Sequence, residues 1–437
     1  MGISFENAYT ASPVCCPSRT AVMLGKRPST TGIYNNGQWW FPHMPDAVSL
    51  PMAFKDNGYM VMGAGKIFHH TAGFNPPLQW DEFHRLVFND DPWFRGKKLN
   101  YPWSKFENNP KGYPFSGLEG VPHEGDWGVI PGLKESDCDD YKTVDYVVSK
   151  LNKKHQKPFF LACGIFRPHL PWYAPKKYFD LYPLEQIRLP YTPVGDRVDI
   201  PIAAFAHNCP VPNYGLDELT LRKATQAYYA SVSFIDAQVG RILDALDRLE
   251  QSQNTIVVFW SDHGYHLGEH GGVWQKRTLF EQSSRAPMII AGPGLRGRGQ
   301  TCRRVVEFVD IYPTLTAVAD VAAPESLAGR SLMPLLNEPS LPWDGFAVTQ
   351  VLRPADERLD KPVMGCSIRT QRWRYTEWAG GEQGVELYDH HADPLEFNNL
   401  ANDPDEVAKA VMGRLRPMLQ SRASAKIPTT PFNPKRL

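Results

Sequence analysis

Two apolar runs, each ended abruptly by a cluster of polar side chains, constrain the fold of this chain more than any other feature. Pro158 to Ile165 (Pro-Phe-Phe-Leu-Ala-Cys-Gly-Ile) and Thr255 to Ser261 (Thr-Ile-Val-Val-Phe-Trp-Ser) lack polar/apolar alternation, the pattern of strands covered on both faces in a parallel sheet. Between them, Tyr228, Val232, Ile235, Val239, Ile242, Leu246 and Leu249 recur at steps of four and three. That spacing predicts one long helix from Asp217 to Glu250, with a single apolar stripe and Asp217 as its N-cap. Further helices are expected over Ser49–Gly58 and Asp139–His155, and further strands over Tyr59–Met62 and Ala286–Ala291. Strands alternating with helices in this order make an α/β protein. From Asn337 to Asp344 the chain turns to Asn, Pro, Ser and Trp. This boundary divides a large domain, 1–340, from a small C-terminal α/β subdomain, 341–437, which ends in a helix behind Asp403-Pro404.

Ligands of open α/β sheets bind at the carboxyl ends of strands, and the polar clusters stand there. Asp262-His263-Gly264 follows the second run: an oxygen and a nitrogen donor for a hard divalent ion, then a glycine that permits close backbone approach. Arg167-Pro168-His169 follows the first run, and Lys66 with His69 and His70 follows the strand at Tyr59. A fourth cluster opens the chain, Ser12-Pro-Val-Cys15-Cys16-Pro17-Ser18-Arg19 through Leu24-Gly25. Pro17 suits the first turn of a helix and Gly25 its end, so two cysteines stand just ahead of a helix N-terminus. Free backbone N–H groups there, with the donor fork of Arg19, favour a tetrahedral oxyanion.

Composition narrows the class. The 437 residues carry 47 Lys plus Arg against 47 Asp plus Glu, so no overall field favours nucleic acid. Seven cysteines at irregular spacing form neither a disulfide framework nor a zinc pattern. No segment is apolar for long enough to span a membrane, and Met1 to Asn7 is not a signal peptide. As written, the chain would be cytoplasmic. Residues 71–137, rich in Pro, Gly, Trp and Asn, read as a substrate-facing excursion.

Cys15-x-Pro17-Ser18-Arg19, with Asn7-Ala8-Tyr9 before it and Leu24-Gly25-Lys26-Arg27-Pro28 after it, resembles the type I sulfatase signature. Ser261 to His270 (Ser-Asp-His-Gly-Tyr-His-Leu-Gly-Glu-His) is similar to the second signature of that family, in the form used by its iduronate-2-sulfatase branch. Val309 to Leu315 and Asp393-Pro394-Leu395-Glu396, continued to Asn399-Leu400, resemble later family landmarks. The resemblance implies an alkaline-phosphatase-like sandwich of a large mixed sheet between helices. It also implies hydrolysis of a sulfate ester, on a sulfated sugar, by a formylglycine made from Cys15 by a formylglycine-generating enzyme. By motif matching, Cys15, Arg19, Lys66, His69, His169 and Lys276 would be catalytic or sulfate-binding residues, with His169 or Lys276 protonating the leaving group. Asp262, His263 and residue 15 would hold a divalent metal, calcium first. His266, Glu269 and His270 would support that shell from behind.

One departure stands against the match. Sulfatases carry adjacent metal-binding aspartates at the end of a first strand ahead of the cysteine motif, and here the Asp-Asp pairs are Asp90-Asp91 and Asp139-Asp140. The first strand is therefore expected to be missing, in a sequence that starts inside its gene and has lost an export signal with that strand; the full product would be periplasmic or secreted. Two other readings stay open: a phosphodiesterase or phosphonate ester hydrolase on the same fold, and an inactive truncated homologue.

Overall fold

The computed structural model describes residues 2–69, 75–84, 112–119, 125–205, 209 and 211–427. In chain order its main elements are β1 (Ile3–Tyr9), α1 (Cys15–Leu24), β2 (Met60–Gly65), β3 (Glu82–His84), α2 (Asp139–Leu151), β4 (Phe159–Gly164) and α3 (Glu218–Arg248). There follow β5 (Val257–Trp260), β6 (His266–Leu267), β7 (Trp274–Gln275), β8 (Met288–Ala291) and β9 (Thr301–Glu307). The last are β10 (Phe346–Arg353), β11 (Val363–Thr370), β12 (Trp373–Trp378), β13 (Val385–Asp389) and α4 (Glu406–Gln420). They form two compact units, Met1–Ala53 with Pro190–Tyr214 and Asn254–Leu437, and Phe54–Leu189 with Gly215–Gln253. Among the described residues no helix is long and apolar enough to cross a membrane.

In the first unit one sheet runs β9-β1-β8-β5. β1 is parallel to β9 and antiparallel to β8, which is antiparallel to β5. β1 and β5 therefore point the same way, and their carboxyl ends share one edge of the sheet. The sequence pattern does not announce β1. Ile3 and Phe5 alternate, but a register shift between Phe5 and Asn7 turns both Ala8 and Tyr9 inward, which breaks the two-residue period. β5 corrects an expectation: it is half-buried, with Phe259 37% exposed, and among the described residues it lies at the edge of its sheet.

The second sheet of this unit is antiparallel, in the order β10-β11-β12-β13. Ile368, Tyr375 and Leu387 pack with Val411, Leu415 and Leu419 of α4. The cap of α4 is Asp405, not Asp403: its carboxylate accepts the Ala408 N–H at 2.7 Å. Thr349 and Gln350 of β10 donate to the carbonyls of Thr10 and Ala11 at 2.7 and 2.9 Å, pinning the link from β1 to α1.

A buried ion-pair network fastens the same region. Arg374 of β12 donates to both Glu281 and Glu396, and all three are buried. Tyr9 Oη donates to Glu281 at 2.8 Å, the Glu281 N–H to Glu396 at 2.7 Å, and His390 Nε2 lies 2.8 Å from Glu396. The Asp-Pro-x-Glu landmark is thus the acidic half of a tie between β12 and the end of β1.

In the second unit β3, β2 and β4 are parallel, with β2 central. β4 was expected to be covered on both faces; it too is half-buried and, among the described residues, lies at the edge of its sheet. Two glycines let the strand ends close up: a Cβ on Gly65 would meet the Gly164 carbonyl at 2.2 Å, and one on Gly164 the Lys66 backbone at 2.1 Å. α3 has the predicted cap, with Thr220 N–H donating to Asp217 at 3.0 Å. Its buried face differs from the predicted stripe. Leu221, Ala224, Thr225, Ala227, Ala230, Ser231, Phe234, Gln238, Ala245 and Leu246 are buried; of the predicted stripe only Leu246 is among them, Tyr228, Ile235, Val239, Ile242 and Leu249 are half-buried, and Val232 is 41% exposed. Small residues along this face allow α2 and the helical turn at Lys176–Phe179 to approach closely, so the helix packs on a face rotated from the predicted stripe. Much of the 71–137 excursion, with Asp90-Asp91, lies outside the described residues, as does His70.

Replacing Arg374 by leucine would remove the buried cation that Glu281 and Glu396 share. A loss of about 3–5 kcal/mol in folding stability is expected, read as a shift of the urea midpoint; an unchanged midpoint would refute the role given to this network.

Candidate functional site

β1 ends at Tyr9, and the chain turns into α1 with Cys15 as its first helical residue. The cysteines are therefore in the first turn rather than ahead of it. Gly25 ends the helix in a left-handed conformation (φ 61°), as its position predicts. Cys15 is fully buried. Cys16 faces elsewhere, with its N–H on Asn36 Oδ1 at 3.0 Å and its thiol toward the Gln38 carbonyl. The downstream signature residues brace the helix: Arg27 pairs with Glu307, and Lys26 Nζ donates to the Ser326 carbonyl at 2.9 Å.

The end of β5 brings Asp262 and His263 to the same edge. Ser18 Oγ donates to the Asp262 carbonyl and accepts from Thr10 Oγ1 at 2.8 Å, so a chain of hydroxyls ties the two strand ends together. Arg19 Nε donates to Asp262 Oδ2 at 2.7 Å. His263 Nδ1 lies 2.7 Å from the Gly264 carbonyl, which can only accept, so Nδ1 carries the proton and Nε2 offers a lone pair. That Nε2 is 3.3 Å from Cys15 Sγ. Gly264 is required here, because a Cβ would stand 2.0 Å from the Gln282 carbonyl.

Lys276 completes the group, with Nζ donating to Cys15 Sγ at 2.9 Å. It follows the β6–β7 hairpin, and its neighbours Gln275 and Arg277 both take left-handed backbone conformations (φ 78° and 76°). Such conformations in residues with side chains mark over-determined, often functional, backbone. His266, Glu269 and His270 hold this hairpin. His266 Nε2 lies 2.6 Å from Thr278 Oγ1, Glu269 accepts the Leu267 N–H at 2.6 Å, and His270 stacks on Phe280 beside Asp196. Burial pushes the His266 imidazole down, against the pull of Glu269.

Ligand atoms of Cys15, Asp262 and His263 all lie within 4.8 Å of one another. Arg19 occupies Asp262 Oδ2, while Oδ1 stands 3.6 Å from His263 Nε2. A carboxylate oxygen, an imidazole lone pair and the position 15 side chain fit part of a divalent-ion shell. Glu281, His390 and Glu396 bring donor atoms equally close, but both carboxylates are already engaged by Arg374.

In the second unit, Lys66 and His69 follow β2 and His169 follows β4, at the carboxyl ends of adjacent parallel strands. Lys66 and His69 are buried. Lys66 Nζ lies 5.0 Å from the Phe166 ring centre, and that ring lies 4.7 Å from the His169 ring. His169 Nδ1 is 2.6 Å from the Leu170 carbonyl, which again leaves Nε2 as the lone-pair nitrogen. Arg167 serves structure: it donates to the buried Asp140 at 2.7 Å and to the Tyr173 carbonyl at 2.7 Å.

A sequence model described as "Sulfatase" matches residues 1–321, and one described as "N-sulphoglucosamine sulphohydrolase, C-terminal" matches residues 268–424. A sulfatase of Formosa agariphila is 35% identical over 92% of this chain and 76% of its own length. The iduronate 2-sulfatase of Homo sapiens is 31% identical over 91% of this chain and 84% of its own. Among solved structures, a protein in complex with its substrate D-glucosamine-2-N,6-O-disulfate superposes with a TM-score of 0.70 at 21% identity. That alignment covers 96% of this chain and 89% of the other.

Gly264→Ala should cost about 1–3 kcal/mol in stability through the clash with the Gln282 carbonyl, read as a shift of the urea midpoint. Gly240→Ala, at an open position in α3, is the control and should be neutral or slightly stabilising. Equal behaviour of the two variants would show that the turn does not depend on its glycine.

Proposed function

The chain belongs to the sulfatase family and is a sulfuric ester hydrolase of the alkaline-phosphatase-like α/β fold; from that premise, we propose that it removes sulfate from a sulfated sugar of the uronic acid class through a formylglycine made from Cys15. The observation that carries this reading is the convergence of Lys276 Nζ and His263 Nε2 on the Cys15 sulfur, at 2.9 and 3.3 Å. The 31% identity to an iduronate 2-sulfatase supports the sugar class.

Once a maturation enzyme of the formylglycine-generating kind has converted residue 15, one hydroxyl of the aldehyde hydrate attacks sulfur. An S–O bond forms, the bond to the substrate alcohol breaks, and the alcohol leaves with a proton from His169 or Lys276. The remaining hydroxyl then loses its proton and the C–O bond to sulfate breaks. Sulfate departs, the aldehyde is restored, and water rehydrates it. Covalent catalysis of this kind replaces one hard displacement with two easier ones. Lys276 and Arg19 supply positive charge for the sulfuryl oxygens, and Arg19 also fixes the orientation of Asp262. A divalent ion held by Asp262, His263 and residue 15 would withdraw charge from those oxygens. The roles of Lys66, His69 and His169 rest on resemblance.

Cys15→Ala should abolish sulfate ester hydrolysis while leaving the thermal unfolding transition in place, and mass spectrometry of the peptide holding residue 15 should find the aldehyde in the active protein. Full activity in the variant would end the mechanism. Chelation should remove activity and added calcium restore it. With paired esters of one alcohol, the sulfate should turn over well ahead of the phosphonate; the reverse order would favour a phosphonate ester hydrolase.

A further inference from the structure

Lys276 stands on a backbone that works against its own preferences. His270, Gln275 and Arg277 take left-handed conformations (φ 50°, 78° and 76°) although each carries a side chain. Such residues persist only where their surroundings over-determine them. β6 and β7 have two residues each, and so short a ladder is marginal by itself. The missing support comes from two distant pieces of the same unit, 196–204 and 213–214. Asp196 Oδ2 lies 3.2 Å from His270 Nδ1, with both side chains buried, and Arg197 Nε donates to the His270 carbonyl at 2.8 Å. Asn213 Oδ1 accepts the Trp274 indole N–H at 2.8 Å, and Tyr214 Oη accepts from Gln275 Nε2 at 2.8 Å. The approach is close: a Cβ on Gly272 would stand 2.8 Å from the Asn213 nitrogen. Asn213 and Tyr214 are themselves left-handed (φ 54° and 53°), so two strained turns face each other across these bonds.

The outer side of this strap is anchored in turn. Arg353, the last residue of β10, is completely buried and donates from Nε and Nη2 to the carbonyls of Ala203 and Ala204 at 2.9 and 2.8 Å. Asn399, from the landmark that begins at Asp393, donates its N–H to Asp199 Oδ2 at 2.8 Å and its side-chain amide to the Asp199 carbonyl at 2.9 Å. Hydrogen bonds and short lengths of chain therefore lead from the C-terminal sheet, through 196–204, to the hairpin. They end where Lys276 Nζ donates to Cys15 Sγ at 2.9 Å.

We propose that Asp196, Arg197, Asn213 and Tyr214 are positioning residues for sulfate ester hydrolysis: they act through the β6–β7 hairpin and fix the place from which Lys276 reaches residue 15. This rests on the reading of Lys276 as the cation beside the nucleophile position. A lysine is a point charge with three donors on a flexible four-carbon stem. On a loosened base it turns to other acceptors, and its charge is no longer held where the sulfuryl oxygens gain theirs.

Asn213→Gly is the test, because glycine accepts the left-handed backbone and only the side-chain acceptor for Trp274 is lost. Asn213→Asp keeps an acceptor oxygen and also visits that conformation. In Asn213→Gly, amide hydrogen exchange over 268–277 should quicken about tenfold while β1 and α1 exchange as in the wild type. Turnover of 4-nitrophenyl sulfate, per residue 15 aldehyde counted by mass spectrometry, should fall about tenfold or more, through kcat rather than KM. Asn213→Asp should recover most of both. In a Lys276→Ala background Asn213→Gly should cost little further activity, since it acts through a side chain already removed. Unchanged exchange over the hairpin, an equal loss of kcat with and without Lys276, or no recovery in a folded Asn213→Asp protein would overturn the proposal. A wild type without turnover would instead count against the reading of residue 15, and exchange over the hairpin would then decide the strap by itself.

Discussion

The site depends on two strand ends that point the same way without being neighbours. β1 and β5 flank β8, antiparallel to both, so the turns after Tyr9 and after Trp260 open onto one edge of the sheet. The hydroxyl chain from Thr10 through Ser18 to the Asp262 carbonyl then locks those turns at hydrogen-bond distance. With it in place, Arg19 can orient Asp262 and His263 can face Cys15. The Arg374 network supports the same edge from behind, because Tyr9, the last residue of β1, is one of its members.

Much of this was legible in the sequence where local chemistry is strong. Gly25 and Asp217 mark helix ends by backbone geometry and side-chain capping, both of which act within a few residues. Asp262-His263-Gly264 reads as a strand-end site because the apolar run before it stops so sharply. Gly264 reads as a close approach because only glycine fits where a Cβ would lie 2.0 Å from a carbonyl.

The parts that escaped depend on distant partners. β1 hides behind a register shift, and its pairing with β8 and β9 cannot be read from its own residues. The buried face of α3 follows small side chains, whereas a hydrophobic stripe weights large ones; tertiary packing decided between two nearby faces. Glu396 was recognisable as part of a motif, but its tie to Arg374 and Glu281 appears only once β12 is paired.

The burial of Cys15 has a consequence for the order of events in the life of the chain. Its partners His263 and Lys276 lie 248 and 261 residues further on, and the unit that holds them is assembled from three separate stretches of sequence. Contacts of such sequence separation form late, both in folding and during synthesis from the N-terminus. Residue 15 is made well before its partners and enclosed once they arrive, and among the described residues its thiol side chain is then fully buried. Any enzyme that were to oxidise its thiol would therefore have to work on the open chain, and the rate at which the fold closes would set the time in which that chemistry could be done.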